Sequence, residues 1–299
     1  MEDFQDYFQN KELIQAIIRE VKGGSLRKAT FGKNEVLYTV QNLKSFTIAE
    51  FLPMGLYFPS DIPLTKEMLE KFIKDHSYSQ ITINENPLSR NLKNLKPDLE
   101  KLKFKTIDRS AQILFLDQDL DTIFKSRFNA TRQKHIKRYQ KNNDINVFST
   151  TDPDYFDKYY DIYKDSLERW NSPHKGYSKP FFNDLAHVEN LKLWVAEYKG
   201  EMIAGMITLY NGEGVFDWLA AALLNEKYKK LYGAVAVQYE VIKHAAENNY
   251  KYVNMGASVN LQGVKNFKDT WGAESVDYHS FVYAKAFFRG LMYMRQLFK

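Results

Sequence analysis

The chain has 299 residues, 44% hydrophobic and 26% charged, which suits one large domain or two ordinary ones and excludes a disordered chain. It contains no cysteine, which excludes disulfides, thiolate metal sites and thiol nucleophiles, and its six histidines form no HxxxH or HExxH pattern, so no metal is expected. The net charge of +5 is modest, no apolar run reaches the ~18 residues of a membrane span, and the start MEDFQDYFQN is unlike a secretory signal, so a cytoplasmic protein is expected.

In chain order, ELIQAIIREV repeats apolar residues at helical spacing and ends at Gly23-Gly24. NEVLYTVQ and FTIAEFLPM predict strands, and TKEMLEKFIKDH predicts a helix. SQITINEN and SAQILFLDQ predict buried strands, with PDLEKLKFK a short helix between them. Helices alternating with strands indicate an α/β layered domain.

Residues 121–141, DTIFKSRFNATRQKHIKRYQK, predict one basic helix. Lys125 to Lys141 holds seven Lys or Arg and no acidic residue. At 100° per residue Phe124, Phe128, Thr131, His135 and Tyr139 share a narrow apolar seam, flanked by Lys125 and Arg132 on one side. Arg127, Lys134, Arg138 and Lys141 line the other. The pattern allows two readings: a solvated basic face, or a cradle for phosphate-bearing ligands. His135 reads as a satisfied core histidine.

After a polar break at NNDINVFSTTDPD a second unit begins with the helix DYFDKYYDIYKDSLERW and a loop through Pro180. LKLWVAEYKGEMIAGMITLYNGEGVFDWLAA predicts three strands turning at Lys199-Gly200 and Asn211-Gly212. A glycine-containing basic loop then leads into a long helix, YKKLYGAVAVQYEVIKHAAENN, and a strand, YKYVNM. GVKNFKDTWGAE follows, with Phe267 and Trp271 four apart on one face of a helical turn, which leaves Lys268 as a solvated neighbour or as a functional group. A strand, SVDYHSFVYA, and a C-terminal helix complete the chain.

Helix, three-stranded meander, loop and helix, strand, helix, strand: this order resembles the acyltransferase fold of the GNAT superfamily. A splayed strand in such a fold frees backbone groups for an oxyanion, and the helix after the meander offers N-terminal amides to phosphate. The loop Lys230-Leu-Tyr-Gly233-Ala-Val-Ala is a degenerate form of that superfamily's R/Q-x-x-G-x-G/A pyrophosphate loop.

Four motifs narrow the resemblance. They are R-x-x-x-I-K-R at 132–138, G-E-M-I-A-G at 200–205, Asn254-Met-Gly256, and Gly263 and Gly272 bracketing Phe267-Lys268. In this order they resemble the FemABX family of peptidoglycan interpeptide-bridge transferases and its acetyltransferase relatives. The resemblance implies two tandem GNAT-like domains, a degenerate one over 1–145 and a catalytic one over 146–284, meeting near 142–152. The helix at 285–299 is then expected to pack back on the first domain.

It also implies transfer of an aminoacyl group from aminoacyl-tRNA to an amine of a cell-wall precursor, with no tightly bound cofactor and no protein nucleophile. Lys268 is implied to face the acyl carbonyl. Arg132, with Lys137 and Arg138, is implied to grip phosphate of acceptor or donor, and Lys230 and Gly233 to serve the pyrophosphate loop. Trp218, Tyr239, Asn254, Gly256 and Phe267 are implied to line the substrate. Partners are then a phosphorylated cell-wall or nucleotide-sugar acceptor and tRNA, with peripheral association at the inner membrane face.

The chain departs from the family in having Asn254 where an acidic residue is common, and in lacking the coiled-coil arm of some members. Its Lys230–Ala236 loop also looks more like a coenzyme A loop. These last two departures favour an alternative, an acyl-CoA-dependent N-acyltransferase acting on a sugar or nucleotide-sugar amine. A third reading is an RNA-binding module built on the basic helix.

Overall fold

The computed structural model describes residues 10–288 apart from 21–23, 44, 52–56, 60–61, 90–91, 170–175 and 259–261. The elements are α1 (Lys11–Glu20), β1 (Gly24–Phe31), β2 (Asn34–Leu43), β3 (Phe46–Phe51), α2 (Lys66–Asp75), β4 (Gln80–Asn84), α3 (Lys96–Lys101) and β5 (Phe104–Phe115). There follow α4 (Leu120–Ser126), α5 (Ala130–Gln140), β6 (Ile145–Thr150), α6 (Pro153–Arg169), α7 (Lys179–Leu185), β7 (Leu191–Tyr198), β8 (Glu201–Tyr210) and β9 (Gly214–Ala222). The chain continues through α8 (Gly233–Glu247), β10 (Tyr252–Ala257), α9 (Gln262–Asp269) and β11 (Glu274–Ala284). No helix of the described residues is long and apolar enough to cross a membrane.

This order contains one motif twice. An antiparallel meander (β1–β3, then β7–β9) is followed by a helix (α2, α8) and a strand parallel to the last meander strand (β4 on β3, β10 on β9). A helix (α3, α9) and a final strand (β5, β11) close each copy. The tandem GNAT-like architecture is this repetition.

The final strands are exchanged. The second half of β5 pairs antiparallel with β10, Phe115 opposite Tyr252, whereas β11 pairs antiparallel with β4, Ser280 opposite Asn84. Two compact units result. The central one spans Ala111–Ser275, with strand order β5-β10-β9-β8-β7-β6; the terminal one takes the described residues before and after it, with order β1-β2-β3-β4-β11-β5. The division falls inside β5 and β11, not after residues 145 and 284, because Ile123, Phe128 and Ile136 of the basic segment join the core of the second meander.

In the terminal unit, Phe31, Tyr38, Phe51, Phe58 and Phe72 form an aromatic core between the meander and α2. Glu85, fully buried, accepts from both the backbone N–H and Nδ1 of His279, which ties β4 to the exchanged β11. Of the expected C-terminal helix only residues 286–288 are described; there Phe288 is buried with its ring 5.0 Å from that of Phe46 in the same unit, and the rest of the helix lies outside the described residues.

Two local expectations are corrected. The basic segment is two helices, because Asn129 leaves the helical conformation and caps α5, its Oδ1 accepting from the Arg132 N–H at 2.8 Å. The break rotates the seam: Arg132 and Ile136 are buried, Thr131 is exposed, and His135 is half-buried. The segment read as a polar break contains β6, whose residues pair along β7 from Ile145 opposite Tyr198 to Thr150 opposite Leu193. An edge strand needs only one buried face, so its polar residues hide it from a hydrophobicity reading.

Candidate active site

The parallel strands β9 and β10 are joined at Gly214–Tyr252, Val215–Val253 and Phe216–Asn254, and the pairing stops there although both strands continue. At the same level each strand loses step with its other neighbour. Between Asp217 and Leu219, Trp218 has no partner on β8; between Asn254 and Ala257, Met255 and Gly256 face a single residue of β5. These are β-bulges, which re-aim backbone groups. Gly256 has φ +69°, and the side chain of buried Asn254 stabilises it by accepting from the Gly256 N–H at 2.9 Å. Glycine tolerates this conformation because it has no Cβ.

The splay exposes two carbonyls, and α9 supplies a cation to them. Lys268 Nζ donates to Gly256 O at 3.0 Å and Ala257 O at 2.9 Å. An ammonium has three N–H groups, so one remains for a ligand. Burial lowers the Lys268 pKa to about 8, opposed by the charge of Asp217.

Asp217 is the residue that the sequence reading missed. It sits on β9 where the pairing ends, and its Oδ2 accepts from Gln238 Nε2 of α8 at 2.6 Å. Its Oδ1 is buried with no hydrogen-bond partner. Burial raises its pKa to about 7, against the hydrogen bond from Gln238 and the positive charge of Lys268. The signal was present as a carboxylate in the apolar strand GVFDWLAAA and a glutamine in the apolar helix GAVAVQYEV. Periodicity counts ignore such single interruptions.

Helix α9 is stitched to the start of α5. The guanidinium carbon of Arg132 lies 4.4 Å from the centre of the Phe267 ring and 4.7 Å from that of Trp271. Its Nε and Nη2 donate to Thr270 Oγ1 at 3.0 and 2.7 Å, and that hydroxyl donates to Phe267 O. Trp271 is fully buried edge-on against Phe128, and Asn129 N–H donates to Thr270 O at 3.0 Å. Arg132 is 6% exposed, and desolvation lowers its pKa to about 10. What its contacts express is support of α9, not a surface phosphate grip.

The remaining expected residues divide. Asn254, Gly256, Phe267 and Lys268 gather at the splay, and Trp218 occupies its bulge, edge-on to Phe181 at 6.0 Å. Lys230 lies in a 3₁₀ turn, Lys229–Leu231, and Gly233 begins α8 after Tyr232 in the left-handed conformation. Gly233 packs so closely on Ile203 and Ala204 that an added Cβ would stand 3.1 Å from each. Lys137 and Arg138 are exposed on α5, with Arg138 Nη1 donating to Tyr232 Oη at 2.7 Å. Tyr239 is buried toward α5, accepting from Gln140 at 3.3 Å, and so belongs to the helix packing. Among the described residues no group of three or more His, Asp or Glu could hold a metal.

A meander followed by a helix and by a parallel strand that splays from the last meander strand is the order in which the sequence resembles a GNAT-type fold. Residues 126–269 match the family described as acetyltransferase (GNAT) domain, and the protein is an acyltransferase of the GNAT type. Among solved structures it is similar to FemX, with 14% identity, a TM-score of 0.72, and 95% of this chain and 93% of that one covered. It is also similar to L-PGS from Bacillus licheniformis (12% identity, TM-score 0.62, 93% of each chain). A tandem GNAT protein from the clavulanic acid biosynthesis pathway shares the fold at 8% identity and a TM-score of 0.53, over 91% of this chain and 87% of that one. No curated protein matches the sequence.

Proposed function

We propose that this protein forms an amide by moving an aminoacyl group from aminoacyl-tRNA to an amine of a peptidoglycan precursor, in the cytoplasm, with the second repeat catalytic and the first degenerate. The observation that carries the reading is a bulge-held Lys268 ammonium and, on the same splayed strands, an Asp217 carboxylate whose Oδ1 has no hydrogen-bond partner. The likeness to FemX over nearly the whole chain supports the choice of donor and acceptor.

In this mechanism the acceptor arrives as an ammonium and gives one proton to Asp217. The freed amine attacks the ester carbonyl carbon, the C–N bond forms, and the carbonyl π pair moves to oxygen. The remaining N–H of Lys268 meets that oxyanion. Collapse breaks the ester C–O bond, and the leaving ribose oxygen takes the second proton of the attacking nitrogen. Asn254 and Gly256 hold the bulge, Phe267 and Trp218 flank the cleft, and Arg132 holds α9.

A second reading, acyl-CoA as donor and a sugar or nucleotide-sugar amine as acceptor, is favoured by the start of α8. There the 3₁₀ turn carrying Lys229 and Lys230 runs into Tyr232 and Gly233 with no side-chain cap, which suits a pyrophosphate. A donor comparison decides between them: the purified chain is offered radiolabelled aminoacyl-tRNAs or acyl-CoAs, each with a peptidoglycan-precursor amine and, separately, with a nucleotide-sugar amine. Label transferred from the tRNA alone supports the first reading; label from acyl-CoA alone replaces it with the second.

A further inference from the structure

We propose that the exposed face of α5 docks the phosphate backbone of an RNA, namely the acceptor stem of the donor tRNA. The identity of the RNA rests on the aminoacyl-tRNA reading above; the surface itself rests on separate observations. Lys134, Lys137, Arg138 and Lys141 are all exposed and, with Ala130 and Gln133, line a shallow open depression of about 340 Å³. Every lining residue comes from one helix, so no opposite wall exists to enclose a nucleotide or a free phosphate. A ligand held here must be extended.

The cations recur three and four residues apart, so from Lys134 to Lys141 they run in a line about 10 Å long at 1.5 Å per residue. Like charges at that spacing repel one another, and no acidic side chain lies between Lys125 and Lys141 to relieve them. Elsewhere on the same unit four lysines are paired with carboxylates: Lys199 with Asp144, Lys227 with Glu201, Lys251 with Glu213 and Lys265 with Asp269. A polyanion with regularly spaced charges is the partner that such a line complements.

A lipid surface fits less well. Membrane-surface helices set large apolar side chains beside their cations, and the exposed large hydrophobics among the described residues are Leu43, Leu224 and Phe287, none of them on α5. The line also has a direction. Arg138 bonds the Tyr232 hydroxyl, and His135 stacks on the same ring at 4.1 Å, so the cations abut the first turn of α8.

The test measures binding of a fluorescently labelled RNA acceptor-stem hairpin to the full chain by anisotropy between 50 and 200 mM salt (conditions of about the range in which phosphate contacts dominate). Four phosphate contacts predict a log–log salt slope of about −3 to −4. The double variant Lys134→Ala, Lys141→Ala should bind at least about 10-fold more weakly with a slope shallower by about 2, at unchanged melting temperature. An unchanged slope and affinity would overturn the proposal, as would a chain that ignores the hairpin and binds vesicles of anionic phospholipid through these lysines. The donor comparison fails separately: a chain that binds the hairpin through α5 but transfers only from acyl-CoA retires the aminoacyl-tRNA reading and leaves the RNA surface standing.

Discussion

The Arg132 guanidinium lies 4.4 Å from the centre of the Phe267 ring, and Phe267 immediately precedes Lys268. A buried cation on α5 therefore sets the position of the candidate catalytic residue on α9 without reaching the cleft. Arg132 makes no ion pair among the described residues; two hydrogen bonds to Thr270 and two aromatic faces stabilise its charge.

Arg132→Ala should therefore destabilise the protein by about 2–4 kcal/mol, since it removes stacking and leaves a cavity under Trp271. Turnover should fall with it as α9 loosens. Arg132→Lys keeps the charge but not the planar fork, so it should recover little of either. Thermal melts and transfer assays of the two variants decide. A wild-type melt for Arg132→Ala with weakened phosphate affinity would return Arg132 to the ligand-gripping role that the sequence suggested.

Two glycines separate backbone strain from crowding. Gly200 and Gly272 both have positive φ, +79° and +69°. A Cβ on Gly200 meets nothing within 4 Å, whereas on Gly272 it would stand 2.6 Å from Arg127 Cβ and 2.7 Å from Arg127 O. Gly200→Ala should cost about 1 kcal/mol, the left-handed penalty alone. Gly272→Ala should cost about 3 kcal/mol or more, because backbone must move. Urea unfolding of both variants measures the difference, and equal losses would show that the Gly272 turn yields freely.

These elements also mark how far the sequence could be read. The second meander, the Lys199-Gly200 turn and α8 were legible because long apolar runs and turn glycines are local signals. The Phe267-Lys268 segment was legible by motif. The strand exchange was not, since β5 and β11 carry the same apolar pattern whichever partner they pair with. Nor was the burial of Arg132, because an arginine in a basic helix reads as surface until Thr270 and the rings of Phe267 and Trp271 are brought to it across the fold. Asp217 and Gln238 escaped for a related reason: their meaning lies in each other and in Lys268, 21 residues apart in the first case.

The pH dependence follows from the two shifted groups. Asp217 must be ionised to accept a proton, and its pKa is pushed up to about 7, so kcat/KM should rise as pH passes through that value. Lys268 must be charged to meet the oxyanion, and its pKa is lowered to about 8, so kcat/KM should fall above that value. A narrow bell between these limbs is expected. Asp217→Asn should remove the acid limb and lower the plateau by about 10²-fold, the scale of general-base loss. An acid limb that survives in Asp217→Asn would assign the base elsewhere.

Lys268→Met tests the centre of the proposal. Methionine keeps much of the aliphatic stem and removes the ammonium, so three hydrogen bonds are lost: those to Gly256 O and Ala257 O, and the one reserved for the oxyanion. The first two concern the bulge, and their loss should lower the melting temperature modestly, since both carbonyls lose a charged donor. The third exists only as negative charge develops, so kcat should fall by about 10²-fold or more while KM changes far less. Lys268→Arg separates the two effects, because it keeps the charge while changing the geometry at both carbonyls. If the ammonium stabilises the oxyanion, Lys268→Arg should retain more turnover than Lys268→Met at an equal loss of stability. Turnover of Lys268→Met within about twofold of wild type would instead make the lysine a strut for the Gly256 bulge and leave oxyanion stabilisation to backbone N–H groups of the splayed strands.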